Sequence, residues 1–69
     1  GRSLSLARAF ITAKIANSRT FLRRNLGVDE PGLMLELAQL GERAAAAESL
    51  DTLLGLEGNA ARLYFENFS

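Results

Sequence analysis

Neither cysteine nor histidine occurs in this chain of 69 residues. Without cysteine, a disulfide framework, a thiol nucleophile and a zinc–thiolate site are excluded. Without histidine, so are a histidine-based triad and a histidine metal ligand within these residues. No uninterrupted apolar run approaches the ~18 residues that mark a membrane span, and the start shows no secretory pattern. The expected setting is reducing and soluble, with the cytoplasm as the default and no membrane partner. The chain begins with Gly1 rather than Met, so it is read as one domain at most and as a piece of a larger protein. A core this small is marginal unless its helices pack very well or associate with other chains.

Acidic residues are missing from residues 1–25, which carry six basic side chains: Arg2, Arg8, Lys14, Arg19, Arg23 and Arg24. Residues 26–69 carry all eight acidic groups and only two basic ones, Arg43 and Arg62. The net charge of zero conceals this segregation. It has two readings: a polyanion partner for the first segment, or a basic helix packed beside acidic ones.

Proline and glycine are absent from residues 3–25, a stretch rich in Leu, Ala and Arg that predicts one long helix. Two apolar rows run along it. Leu4, Ala7, Ile11, Ile15 and Leu22 form one, and Leu6, Phe10, Ala13 and Phe21 form the other. So wide an apolar arc is expected to be covered on more than one side. Arg8, Arg19 and Arg23 share the remaining, wet face. Lys14 projects between the two rows, with Asn17 one turn on. Either it snorkels, covering apolar surface with its stem, or it is a cation aimed at an interior acid or a phosphate.

Gly27 can close that helix in the left-handed conformation, and the acidic pair Asp29–Glu30 before Pro31 signals the next start. The second helix is predicted over residues 31–47, burying Leu33, Met34, Leu37, Ala38, Leu40, Ala44 and Ala45, with Gly41 allowing close contact. It carries no chemistry. Ser49 caps a third helix that runs to about Asn67, with Asp51 complementing its dipole. The expected fold is all-α. It is a three-helix antiparallel segment, with helices at about 3–25, 31–47 and 49–67, belonging to a larger helical domain.

The third helix holds the main clue. Projected at about 100° per residue, Leu50, Leu53, Leu54, Ala60, Ala61, Tyr64, Phe65 and Phe68 fall within roughly 140°, and Glu57 sits near the middle of that sector. A carboxylate amid a core face needs a proton, a cationic side chain or a metal ion to neutralise it. One reading is an ion pair with Lys14 or Arg62 that fixes helix register. The other is a site, for which Gly55 and Gly58 clear space. Tyr64, Phe65 and Phe68 share the Glu57 face, which points to core packing over base stacking. Asn59, Arg62 and Glu66 form a solvated stripe, and Arg23–Arg24 suit a helix C-terminus. Metal-assisted phosphodiester chemistry needs several ligands on Mg²⁺ or Mn²⁺, and no second ligand shares a matching face with Glu57.

The run S-L-D-T-L-L-G-L-E-G-N-A-A-R-L-Y-F-E-N-F (residues 49–68) closely resembles a signature of the CRISPR-associated integrases, the metal-dependent endonucleases numbered first among the Cas proteins. A-K-I-A-N-S-R-T-F-L-R-R (residues 13–24) resembles the lysine-plus-asparagine helix of the same family. Ser18 stands where members often carry glutamine. The resemblance covers essentially the whole segment. It implies a place in the helical C-terminal domain of proteins that also have a small N-terminal β domain. Such proteins are homodimers that assemble with a second Cas protein. They insert short foreign DNA into a CRISPR array by attack of a DNA 3′-hydroxyl on the repeat backbone. By the same resemblance Glu57 is catalytic and one ligand of Mg²⁺ or Mn²⁺. The remaining ligands, a histidine and an acidic residue, come later in such chains, so this segment alone is expected to be inactive. Lys14, Asn17, Arg23 and Arg24 are the side chains expected to contact DNA or phosphate. The alternative is a self-contained helical interaction module with Glu57 in a structural salt bridge to Lys14. In either case the isolated segment is expected to self-associate.

Overall fold

The computed structural model describes residues 2–68. They form three helices and, among themselves, no strand: α1 (Arg2–Asn25), α2 (Pro31–Ala45) and α3 (Leu50–Phe68). At about 1.5 Å per residue the first helix is roughly 36 Å long, which accounts for the long axis of a body measuring 38 × 17 × 16 Å. No described helix is long and apolar enough to cross a membrane.

Local chemistry sets each boundary. α1 ends where Gly27 takes φ +69°, a conformation costly for a residue with a Cβ. The turn is closed by the Val28 N–H, which donates to the Leu22 carbonyl at 2.9 Å. Glu30 then caps α2. Its carboxylate accepts from the N–H groups of Gly32 and Leu33, both at 3.0 Å, and Pro31 occupies a first-turn position where no donor is needed. A Cβ on residue 32 would stand 3.1 Å from Glu30 Oε1, so glycine there leaves the capping carboxylate its room. α2 stops at Ala45, two residues before the predicted end, as Ala46 and Ala47 donate back to Arg43 and Ala44. Ser49 begins α3 as expected: its hydroxyl accepts from the Thr52 N–H at 3.1 Å.

All three helix pairs touch, around a core whose fully buried large side chains are Leu22, Leu37 and Leu53, one from each helix. Lys14 bonds Glu57 across a separation of 43 residues, and Phe21 meets Tyr64 at the same offset. The repeated offset means that α1 and α3 run in the same direction. α2 returns between them.

The two rows of α1 part company. Ile11, Ile15 and Leu22 are buried, but Leu6, Phe10, Ala13 and Phe21 are exposed, because two neighbouring helices cover only one side of so wide an arc. On α2, Leu33, Leu37, Leu40 and Ala44 are buried, Met34 and Ala38 are half-buried, and Ala45 is exposed rather than core. Gly41 faces α1, and a Cβ there would lie 3.8 Å from Ile15 Cγ2.

α3 is rotated from the predicted face. Its buried side chains are Leu53, Leu56, Ala60 and Leu63, a purely aliphatic seam with 3-4-3 spacing. Leu50, Leu54, Ala61, Phe65 and Phe68 are exposed. The apolar arc of α3 is wider than its neighbours can cover. Burying the half without an acid avoids desolvating Glu57, so the carboxylate stands at the edge of the core rather than at its centre. Phe65 and Phe68 are corrected with it: they pack on the exposed flank of Tyr64, with ring centroids 5.7 and 5.5 Å from it. Gly55 and Gly58 also face outward, and a Cβ on either would meet nothing within 4 Å.

Candidate functional site

α1 and α3 lie side by side in a register that sets Lys14 opposite Glu57. The lysine Nζ donates to Glu57 Oε2 at 2.8 Å, with 57% of the Lys14 side chain and 26% of the Glu57 side chain exposed. Of the three ways to neutralise the acid, the fold therefore supplies a cationic side chain. Lys14 is neither a purely snorkelling lysine nor paired to a deeply buried acid. Exposed pairs of this kind contribute about 0–1 kcal/mol, since water screens the attraction and two long side chains must be held still. Arg62, the other candidate partner, is committed to Glu66 at 3.3 Å within its own helix, on the solvated stripe that the sequence marks.

Glu57 lines a cleft of about 250 Å³ whose other walls include Lys14, Ser18, Ala60, Ala61 and Tyr64. The small side chains of Ala60 and Ala61 keep the floor low in front of the carboxylate. Lys14, Ser18 and Tyr64 also border a second, more open cleft of about 490 Å³, shared with Asn17, Phe10 and Phe21. Lys14 and Asn17 are thus brought together on one surface. Ser18 turns its hydroxyl back onto the Lys14 carbonyl at 3.0 Å, a bond within α1 that leaves the clefts open.

The arginine pair divides. Both side chains are exposed in the last turn of α1, where they suit the helix dipole. By a 100° projection Arg24 falls within about 20° of Asn17, whereas Arg23 lies about 120° away, with Arg8 and Arg19. Among the described residues, Lys14 is the one basic group of α1 with an ion-pair partner. The side chain of Arg2 lies outside the described part. Packing a basic helix beside acidic ones therefore accounts for Lys14 but not for Arg8, Arg19, Arg23 or Arg24.

A further cleft of about 350 Å³ lies between α1 and α2, bordered by Thr12, Arg19 and Glu42. No motif foretells it. The small residues Ala16, Ala38, Gly41 and Ala45 along its walls are the signal that marks it.

The donor chemistry at Glu57 suits a hard divalent cation in kind but not in number. Oxygen is the right ligand type, and Oε1 is free of hydrogen bonds among the described residues. No group of three or more acidic, histidine or cysteine side chains converges anywhere among those residues. Glu57 is therefore fit to be one ligand of a set, and the described part offers it no companion.

Comparison with known proteins accords with the two motifs. The family model for CRISPR associated protein Cas1 matches residues 1–69. A CRISPR-associated exonuclease Cas4/endonuclease Cas1 fusion from Geobacter sulfurreducens is 47% identical over 72 residues, covering 96% of this chain and 13% of that protein. A fusion of the same name from Rhodospirillum rubrum is 46% identical over 70 residues, covering 97% and 12%. CRISPR-associated endonuclease Cas1 4 of Methanospirillum hungatei is 43% identical over 68 residues, covering 99% and 18%. The chain thus spans less than a fifth of the length of these relatives. No solved structure gives a significant match. On the family match and these identities, the chain belongs to the Cas1 family of CRISPR-associated proteins.

Proposed function

We propose that this chain forms part of the helical catalytic domain of a metal-dependent DNA endonuclease and integrase, one that inserts foreign DNA segments into a CRISPR array in the cytoplasm. The observation that carries this reading is Glu57: a carboxylate at the rim of the core, facing a cleft floored by alanines, with one oxygen uncommitted. In the whole protein Glu57 supplies one ligand of a Mg²⁺ or Mn²⁺ ion, and the other ligands come from chain beyond these residues. An ion held there by Glu57 and those further ligands would supply Lewis-acid polarisation of a phosphoryl oxygen and activation of an attacking hydroxyl. Glu57 holds its negative charge at the cleft, and the alanines leave room for a phosphodiester to approach.

DNA is the partner that the basic side chains of α1 suit, since Arg8, Arg19, Arg23 and Arg24 have no ion-pair partner among the described residues. Lys14, Asn17 and Arg24 face one side of that helix, and phosphate contacts of this type fix a protein on its duplex without reading sequence. The same reading makes the whole protein a homodimer that works with a second Cas protein. It also leaves the 69-residue segment, with one ligand of a set, inactive by itself.

Full-length Glu57→Ala tests the reading in a Mn²⁺-dependent strand-transfer assay. The expected result is loss of transfer with folding intact, and near-normal transfer removes Glu57 from the site.

A second reading is favoured by one specific observation, the 2.8 Å contact between Lys14 and Glu57. In it the segment is a helical interaction module and the pair holds α1 against α3. It predicts that Lys14→Met and Glu57→Gln each loosen the fold while leaving DNA chemistry untouched.

A further inference from the structure

We propose that the groove between α1 and α2 seats a further helix of the same polypeptide, one that presents acidic side chains to Arg8 and Arg19. This rests on the reading above only in taking these residues as part of a longer chain, in keeping with relatives of which they span less than a fifth. The cleft of about 350 Å³ beside Arg19 runs into a second of about 460 Å³ beside Arg8. Thr12, Ala16 and Ala45 border both, so the two form one groove. From Arg8 to Arg19 it follows three turns of α1, about 16.5 Å.

Its floor is low. Ala16 and Ala45 are exposed, and a Cβ at Gly41 would meet only Ile15 within 4 Å, so a helix backbone can come close. One wall carries polar atoms that nothing pairs. Arg8 Nε, Thr12 Oγ1 and Arg19 Nε are buried without a hydrogen-bond partner among the described residues, and neither arginine has an ion-pair partner there. By a 100° projection the three side chains fall within about 40° of one another. Buried polar groups in native proteins are nearly always paired, so something laid along this wall must supply the acceptors.

The chemistry selects the occupant. A carboxylate accepts from an arginine Nε–H, and strongly because both groups are charged. Arg8 and Arg19 stand eleven residues apart, so a helix packed nearly parallel or antiparallel to α1 meets them with acids about eleven residues apart. Glu42 on the opposite wall calls for a basic or amide side chain on the helix's other flank. Glu42 also repels a phosphate, and a floor of methyl groups and glycine offers a phosphate no bond. A protein that comes and goes would leave three buried atoms unpaired at each departure, whereas a helix of the same chain stays. Of the unpaired arginines of α1, Arg8 and Arg19 thus go to protein, and Arg23 and Arg24 remain for DNA.

The test places a thiol on the groove floor of the full-length protein, by Ala16→Cys and independently by Ala45→Cys, with thermal unfolding to verify that each variant is folded. Peptide mass spectrometry follows alkylation at that position. With the helix seated, reaction requires a local opening, and it is expected to be at least about a hundredfold slower in the native protein than in denaturant. Reaction near the denatured rate at both positions overturns the proposal. A photo-crosslinking residue in place of Thr12, in a mixture of isotope-labelled and unlabelled protein, identifies the occupant. The expected product lies within one copy, on a segment with two acids about eleven residues apart. Crosslinks to DNA, to a second copy, to another protein or to a segment without those acids overturn it as well. Normal strand transfer by Glu57→Ala sinks the catalytic reading and leaves the groove standing, while open thiols sink the groove alone.

Discussion

Lys14 and Glu57 meet at 2.8 Å with both side chains partly in water, so their bond ties α1 to α3 without anchoring them. Lys14→Met or Glu57→Gln should therefore change the unfolding free energy by less than about 1 kcal/mol, measured by chemical denaturation. A loss of several kcal/mol from either would make the pair a structural anchor and favour the interaction-module reading.

The anchoring contacts lie deeper. Leu22, Leu37 and Leu53 are fully buried, one on each helix, and replacing any one by alanine removes packing and leaves a cavity. Each substitution is expected to cost about 2–5 kcal/mol. Since the three side chains share one core, circular dichroism should show all three helices lost in a single transition. Independent loss of one helix would mean that the core is divided.

Glycine substitutions should act with opposite signs along the chain. Gly27→Ala forces a Cβ into φ +69° and is expected to destabilise by about 1 kcal/mol. Gly55→Ala and Gly58→Ala meet nothing within 4 Å, so each is expected to stabilise α3 by up to about 1 kcal/mol. Thermal melts of the three variants provide the check. If Gly55→Ala or Gly58→Ala destabilises the full-length protein instead, another part of that protein approaches α3 at the glycine.

The cap of α2 gives a sharper local test. Glu30→Ala deletes two acceptors for the Gly32 and Leu33 N–H groups and is expected to cost about 1 kcal/mol. Hydrogen exchange should speed up at those two amides and much less at Gly41, more than two turns further along α2. Equal acceleration throughout α2 would contradict a local role.

How far the sequence discloses this molecule differs between helices. Local signals are direct: Gly27, Glu30–Pro31 and Ser49 each mark a boundary through bonds made within a few residues. The Lys14–Glu57 pairing is also legible, because both charges interrupt apolar rows. The orientation of α3 is not. Its apolar residues span nearly two faces, so a projection that starts from Tyr64, Phe65 and Phe68 centres on Glu57, while the fold buries the Leu53–Leu56–Ala60–Leu63 seam. Periodicity says that a helix has an apolar arc, but which half is covered depends on neighbours. A wide arc with few neighbours leaves that choice to the desolvation of a single carboxylate. The division of the α1 rows has the same cause. The metal ligand set proposed for the whole protein is beyond reach for another reason, since no group of candidate ligands converges on Glu57 among the described residues.

The uncovered rows predict association. Phe10 and Phe65 are 67% and 71% exposed, and they belong to apolar rows on adjacent helices. The isolated chain is expected to self-associate in a concentration-dependent way by sedimentation velocity, and Phe10→Asp with Phe65→Asp should shift it towards monomer. A well-folded native monomer at high concentration would show that these rows tolerate water.

The shared direction of α1 and α3 gives α2 a part in the site although it brings no side chain to it. Two helices that run the same way can face each other only if something between them carries the chain back, and the length of that return sets which residues come opposite. α2 is thus a ruler. Removing one turn from it shortens the return by about 5.4 Å, enough to slide Lys14 away from Glu57 while every residue of the site stays intact.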